Sequence, residues 1–80
     1  MSAEPHKIAV IAKNSTEQIH VGLDHYAGRN LVDVRVFALF GGNDVFCPTK
    51  KGVAIAPTKL GELIGALTEA KAQAEAMGWV

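Results

Sequence analysis

The chain has 80 residues (8.5 kDa), with eight Lys+Arg against eight Asp+Glu, 49% hydrophobic residues and only 6% aromatic ones. That length holds a single domain, the apolar fraction excludes a disordered chain, and eight Gly and three Pro without a repeat period exclude a collagen-like or low-complexity sequence. Zero net charge excludes a polycation that binds nucleic acid with its whole surface, while leaving local basic patches open.

Met1–Pro5 reads as the start of a short tail (residues 1–6), with one domain over residues 7–80. Lys7–Ala12 is expected to be a strand, because Ile8, Val10 and Ile11 are β-formers among small residues. Lys13–Glu17 is a polar turn cluster, and its Asn14-Ser15-Thr16 matches a glycosylation acceptor only by letter. From Gln18 to Tyr26, Ile19, Val21 and Leu23 alternate with His20, Gly22 and Asp24, the period-2 pattern of a half-buried strand. Ala27-Gly28-Arg29-Asn30 contains residues that tolerate positive φ and reads as a hairpin turn.

Leu31–Phe40 carries the strongest strand signal. Val32, Val34 and Val36 share one face, with Asp33, Arg35 and Phe37 on the other beside Leu31 and Leu39. Gly41–Asp44 is a second turn. Val45–Cys47 opens a fourth strand, Pro48 interrupts it, Thr49–Gly52 forms a basic loop or bulge, and Val53–Ile55 resumes it. Proline is tolerated in strands only at edges and bulges, so this strand is expected at an edge or sharply bent. Beyond Pro57, Leu60, Leu63, Ile64, Leu67, Ala74 and Met77 keep the spacing of an amphipathic helix, capped by Gly78. The fold class is therefore α+β: a four-stranded antiparallel sheet followed by one C-terminal helix, ββββα. A single helix is expected to cover part of one sheet face only.

A core of this size buries only about 60–65% of the unfolded surface, and such domains often add disulfides, metal or a second subunit. Cys47 is the sole cysteine, so no intrachain disulfide forms, and no paired spacing of Cys and His suggests a metal site. A homodimer is the remaining device. The longest apolar run, Ile8–Ala12, is far below the ~20 residues of a membrane span. No signal-peptide core is visible. A cytoplasmic, nucleoid-associated setting is expected.

Catalytic arrangements find little support. Cys47 lies in an apolar strand and reads as a small buried hydrophobe; His20 and His25 read as surface or packed histidines; Gly41-Gly42 lacks any phosphate-loop pattern. Neither an enzyme, a cofactor nor a small-molecule substrate is expected. Basic residues are more telling. Through Lys59 the chain carries seven bases against five acids, whereas from Leu60 onward it carries one base against three. Tyr26, Phe37 and Phe40 lie near those bases. Phe37 and Phe40 are expected mainly in the core. Cations along a backbone track combined with aromatic platforms are what single-stranded nucleic acid requires.

The segments His25-Tyr26-Ala27-Gly28-Arg29, Leu31-Val32-Asp33-Val34-Arg35 and Pro48-Thr49-Lys50-Lys51-Gly52-Val53-Ala54-Ile55, with the closing helix, resemble the transcriptional positive cofactor four family over about residues 7–77. The resemblance implies a homodimer with helices at its interface, placing Leu60, Leu63, Ile64, Leu67 and Trp79 there. It also implies curved sheets that bind single-stranded or melted DNA with little sequence preference. By position, Tyr26 would stack on a base, Gly28 would make the turn, and Arg29, Arg35, Lys50 and Lys51 would meet phosphates. Gly52 completes the Lys-Gly step, and Lys13 lies near the start of the binding ridge. A second stacking aromatic of the family falls on Ala38 here, which Phe37 or Phe40 could replace only if strand bulges turn them outward; a basic residue falls on Cys47, and another falls on Glu17 or Asp24. The acidic, serine-rich regulatory region is absent. The resemblance thus implies a non-catalytic protein that binds single-stranded DNA in transcription, with RNA as a second candidate ligand and the transcription machinery as a candidate partner. The alternative is a dimeric protein-interaction coregulator with weak or no DNA binding.

Overall fold

The computed structural model describes residues 6–42 and 44–80; Met1–Pro5 of the expected tail, and Asn43 of the second turn, lie outside them. Four strands, β1 (His6–Asn14), β2 (Glu17–Tyr26), β3 (Arg29–Leu39) and β4 (Phe46–Ile55), form one antiparallel sheet in the order β1-β2-β3-β4. A 3-10 turn (Pro57–Lys59) leads into the helix α1 (Leu60–Ala76). The expected ββββα architecture is therefore the one observed.

Local chemistry explains the connections. Ala27 and Gly28 both take positive φ (54° and 77°), as a type I′ hairpin turn requires, and bring Tyr26 opposite Arg29. At the β1–β2 turn, the Asn14 side-chain oxygen accepts hydrogen bonds from the Thr16 N–H (3.0 Å) and hydroxyl (3.2 Å). The helix ends in a Schellman motif: Gly78 has φ 78°, its N–H donates to Glu75 O (3.1 Å), and the Trp79 N–H donates to Ala74 O (2.8 Å).

Strand register sorts the side chains into two faces. Ile19, Val21 and Leu23 of β2 lie beside Val36, Val34 and Val32 of β3, which in turn meet Val53 and Ile55 of β4. This face is apolar, yet of its members only Val32, at 4% exposure, is buried. The other face carries His20, Gly22 and Asp24 beside Arg35, Asp33 and Leu31.

Four expectations need correction. First, Pro48 does not interrupt β4, which is one continuous strand from Phe46; the expected edge position and basic bulge are both present, since Arg35 pairs with Gly52 and Phe37 with Pro48, so that Thr49–Lys51 oppose Val36 alone. The Thr49 hydroxyl makes this possible by donating to Val36 O (2.8 Å) and accepting from the Lys51 N–H (3.1 Å). Second, Pro57 opens a 3-10 turn rather than α1 itself. Third, the helix covers neither sheet face to any extent. No residue of α1 is buried, and its contacts beyond the 3-10 turn are marginal. The Cα radius of gyration is 14.9 Å, against about 11.6 Å for a compact 80-residue domain. Ile64, Leu67, Met77 and Trp79 consequently remain exposed. Fourth, Phe40 is not in a core but 50% exposed just beyond β3, and Cys47 is a free thiol of intermediate exposure.

Candidate nucleic-acid interface

The hairpin end of β2 and β3 holds Tyr26 and Arg29 as a cross-strand pair, with Gly28 in the turn between them. Tyr26 is 72% exposed, and Arg29 is also exposed. Residues two apart on a strand share a face, so Arg29 lies on the side of Asp33, Arg35 and Phe37, and Tyr26 on the side of His20. Six residues of strand separate Arg29 from Arg35, about 20 Å.

Arg35 is heavily committed. Its Nη2 donates to Asp33 Oδ1 (2.7 Å), its Nε to Asp33 Oδ2 (3.4 Å), and its Nη1 to the carbonyl of Lys50 (3.3 Å). The Asp33 hydrogen bonds hold the guanidinium even further toward its charged form, against a smaller effect of desolvation. Arg35 thereby braces the β4 bulge as much as it presents charge. Lys50 and Lys51 project from that bulge, both exposed and with no acidic partner among the described residues. Gly52 is obligatory there: its φ is 146°, and an added Cβ would lie 2.3 Å from Val34 O and 2.9 Å from Arg35 Cα. Lys13 forms an ion pair with Glu17 at 2.8 Å. That contact, with a further hydrogen bond from Asn14, lowers the Glu17 carboxyl pKa.

Between these groups lies a groove of about 290 Å3 whose walls include Lys7, His20, Arg35, Phe37, Pro48 and Thr49. His20 and Phe37 stack with ring centroids 3.6 Å apart and planes 2° from parallel. Gln18 Oε1 lies 2.9 Å from His20 Nε2. Burial, with a smaller contribution from Lys7, pushes the imidazole pKa down, so the ring is neutral near pH 7. The sequence does not mark Lys7, His20 and Thr49 as site residues, whereas Phe37 stands there among the aromatics beside the bases. Lys7 meets the groove only through its pairing with Gly22 in the β1–β2 register. Ala38, where a second stacking aromatic was sought, lies opposite Glu17 and Cys47 on the apolar side of β3. The interface-helix residues Leu60 and Leu63 are half-buried, whereas Ile64, Leu67 and Trp79 are exposed.

The chain is an antiparallel meander that exposes Tyr26 and Arg29 on one face, followed by a single helix that leaves both faces open. The family model described as Transcriptional Coactivator p15 (PC4) matches residues 13–66, and the chain belongs to this family. Two crystal forms of a PC4 homolog from Burkholderia pseudomallei superpose on the chain. The tetragonal form has TM-score 0.76 and 32% identity, covering 85% of this chain and 98% of that one. The orthorhombic form has TM-score 0.75 and 33% identity, covering 88% and 90%. No curated protein matches the chain in sequence. Family membership indicates nucleic-acid binding and a transcription-related role. The family is one of nucleic-acid-binding coactivators rather than enzymes. No helix among the described residues is long and apolar enough to cross a membrane.

Proposed function

We propose that the chain binds single-stranded DNA without sequence preference, as a homodimer acting in transcription in the cytoplasm at the nucleoid. The observation that carries this reading is the β4 bulge, which holds Lys50 and Lys51 exposed and without a salt bridge among the described residues, on the sheet that also presents Tyr26 and Arg29. Phosphates meet Arg29, Lys50 and Lys51, with Arg35 contributing charge while it fixes the bulge, and a base stacks on Tyr26. RNA offers the same phosphates and ring faces and is the second candidate ligand. The exposed helix stripe of Ile64 and Leu67, with Trp79 beyond the cap, supports a second copy as its cover, since apolar patches of this kind mark association surfaces.

The test is a fluorescence-anisotropy titration of labelled oligo-dT at several salt concentrations, beside sedimentation of the free protein. Affinity should fall with salt, and Lys50→Ala with Lys51→Ala should flatten the log–log slope by about 1.4, from ~0.7 per phosphate contact on single strands. Tyr26→Ala should weaken binding with the slope intact. Sedimentation should give about twice 8.5 kDa. Absence of binding at low salt refutes the reading; a dimer that fails to bind would leave the protein-interaction coregulator instead.

A further inference from the structure

We propose that Asp33, an acid on the face assigned to a polyanion, strengthens nucleic-acid binding: it aims the Arg35 guanidinium at the β4 bulge and so sets the backbone that carries Lys50 and Lys51. This role rests on the nucleic-acid reading above and deepens it by naming a positioning residue. Coulomb's law alone gives the opposite sign, since a carboxylate among cations repels phosphate. Two acids, Asp24 and Asp33, share the groove walls with Lys7 and Arg35, and their hydrogen bonding sets them apart.

The cross-strand partners of Asp33 are Gly22 on β2 and Ala54 on β4, neither of which has a polar side chain. Residues two apart on a strand share a face, so the carboxylate meets Arg35. Oδ1 accepts from Nη2 (2.7 Å) and Oδ2 from Nε (3.4 Å). That fork fixes the guanidinium plane. It leaves Nη1, which donates to the Lys50 carbonyl at 3.3 Å. On β4 the partner of Arg35 is Gly52, which puts no side chain in the way. The Arg35 and Asp33 side chains are only 24% and 30% exposed, so the pair is more sheltered than an ordinary surface ion pair.

The bulge needs such a brace because Thr49, Lys50 and Lys51 fall outside the regular β3–β4 pairing. The Thr49 hydroxyl ties one end of it to Val36 O and to the Lys51 N–H; the bond from Arg35 ties the middle, at Lys50. A bulge set before the ligand arrives loses less freedom on binding. Asp24 has no such task. Its Oδ1 accepts from the neighbouring His25 N–H (2.7 Å), its cross-strand partner is Leu31, and it has no salt bridge among the described residues. It lies two residues from Tyr26 on the same face and acts on a polyanion through its charge alone.

The experiment is oligo-dT anisotropy at low salt on the full chain, with circular dichroism and urea melts establishing that each variant folds. Asp33→Ala should weaken binding about 2- to 12-fold, equivalent to ~0.5–1.5 kcal/mol of ordering that the bulge must then supply on binding. Asp24→Ala should instead strengthen it about 2- to 3-fold, the effect of removing one charge ~7 Å from a phosphate in water. The decisive arm repeats Asp33→Ala in a Lys50→Ala, Lys51→Ala background. With no lysines left to position, only the lost negative charge counts, and the same substitution should strengthen binding. A general loss of stability would weaken binding in both backgrounds, so the reversal of sign is specific to positioning. Arg35→Lys guards against misfolding of the alanine variant: it keeps the charge and loses the fork. It should weaken binding more with the lysines present than without them. A folded Asp33→Ala that binds as tightly as wild type or tighter, or that weakens binding equally in both backgrounds, overturns the role of Asp33 while leaving the wider reading standing. An Arg35→Lys variant at wild-type affinity does the same. Failure of wild type to bind oligo-dT overturns both.

Discussion

Gly52→Ala is the substitution on which the architecture of the basic bulge most directly depends. The glycine has φ 146°, a conformation that L side chains rarely adopt, and its missing Cβ would sit 2.3 Å from the Val34 carbonyl oxygen. Forcing an L residue into such backbone costs about 1–3 kcal/mol. Ordinary carbon–oxygen contacts lie near ~3.3 Å, so the β3 and β4 backbones would have to separate by roughly an ångström, and overpacking of that kind costs about 1–3 kcal/mol more. The expected loss is about 2–6 kcal/mol, against a total stability of about 4–12 kcal/mol for 80 residues. Gly28→Ala is the internal control: its φ is 77°, but nothing lies within 4 Å of the added carbon. Only backbone strain of about 1 kcal/mol is expected there. Urea unfolding followed by circular dichroism, with all variants at one protein concentration because self-association shifts apparent stability, gives the comparison. Gly52→Ala that melts no earlier than Gly28→Ala would refute the assigned approach of β4 to β3.

Two further predictions concern the hairpin and the buried imidazole. Ala27 carries φ 54° at the first turn position, so Ala27→Asn, which creates the Asn-Gly pair favoured in type I′ turns, should raise stability by about 0.5–1 kcal/mol; a lower urea midpoint would contradict the left-handed turn. His20 has its folded pKa pushed below the ordinary ~6.5 by burial, so at pH values between the two the unfolded chain binds more protons than the native one. Stability should therefore be at its full value above about pH 7.5 and fall as the pH drops below about 6.5. His20→Phe should remove that dependence in pH-stepped urea melts; an identical slope in the variant would show that another group carries it.

Much of this fold is legible in the sequence because its signals are local. The alternation of Ile19, Val21 and Leu23 against His20, Gly22 and Asp24 is a property of one strand, and the Ala27-Gly28 turn is a property of two residues. The helix spacing from Leu60 to Met77 and the Gly78 cap are equally local. The Asp33–Arg35 pair is also visible as two charges at i and i+2, and it does form, at 2.7 Å. What the sequence does not disclose is the second job of Arg35, its hydrogen bond to the Lys50 carbonyl fifteen residues away. That contact exists because three residues of β4 bulge opposite Val36, and a bulge offset is not encoded in either strand alone. Pro48 does not end the strand because β4 lies at the edge of the sheet, where a missing N–H costs no ladder bond on the open side.

The sequence by itself therefore determined the elements, their order, the basic residues and the family, because propensity, alternation and capping act within a few neighbouring residues. Tertiary structure alone decided which distant side chains share a surface. Register places Lys7 beside Gly22, His20 beneath Phe37 and Gly52 against Val34, and these juxtapositions make the groove and the braced bulge. It also decided that the apolar stripe of α1 finds no strand to cover it in its own chain. The turn at Pro57–Lys59 leads into a helix that buries none of its residues, so Ile64 and Leu67 stay exposed in this chain.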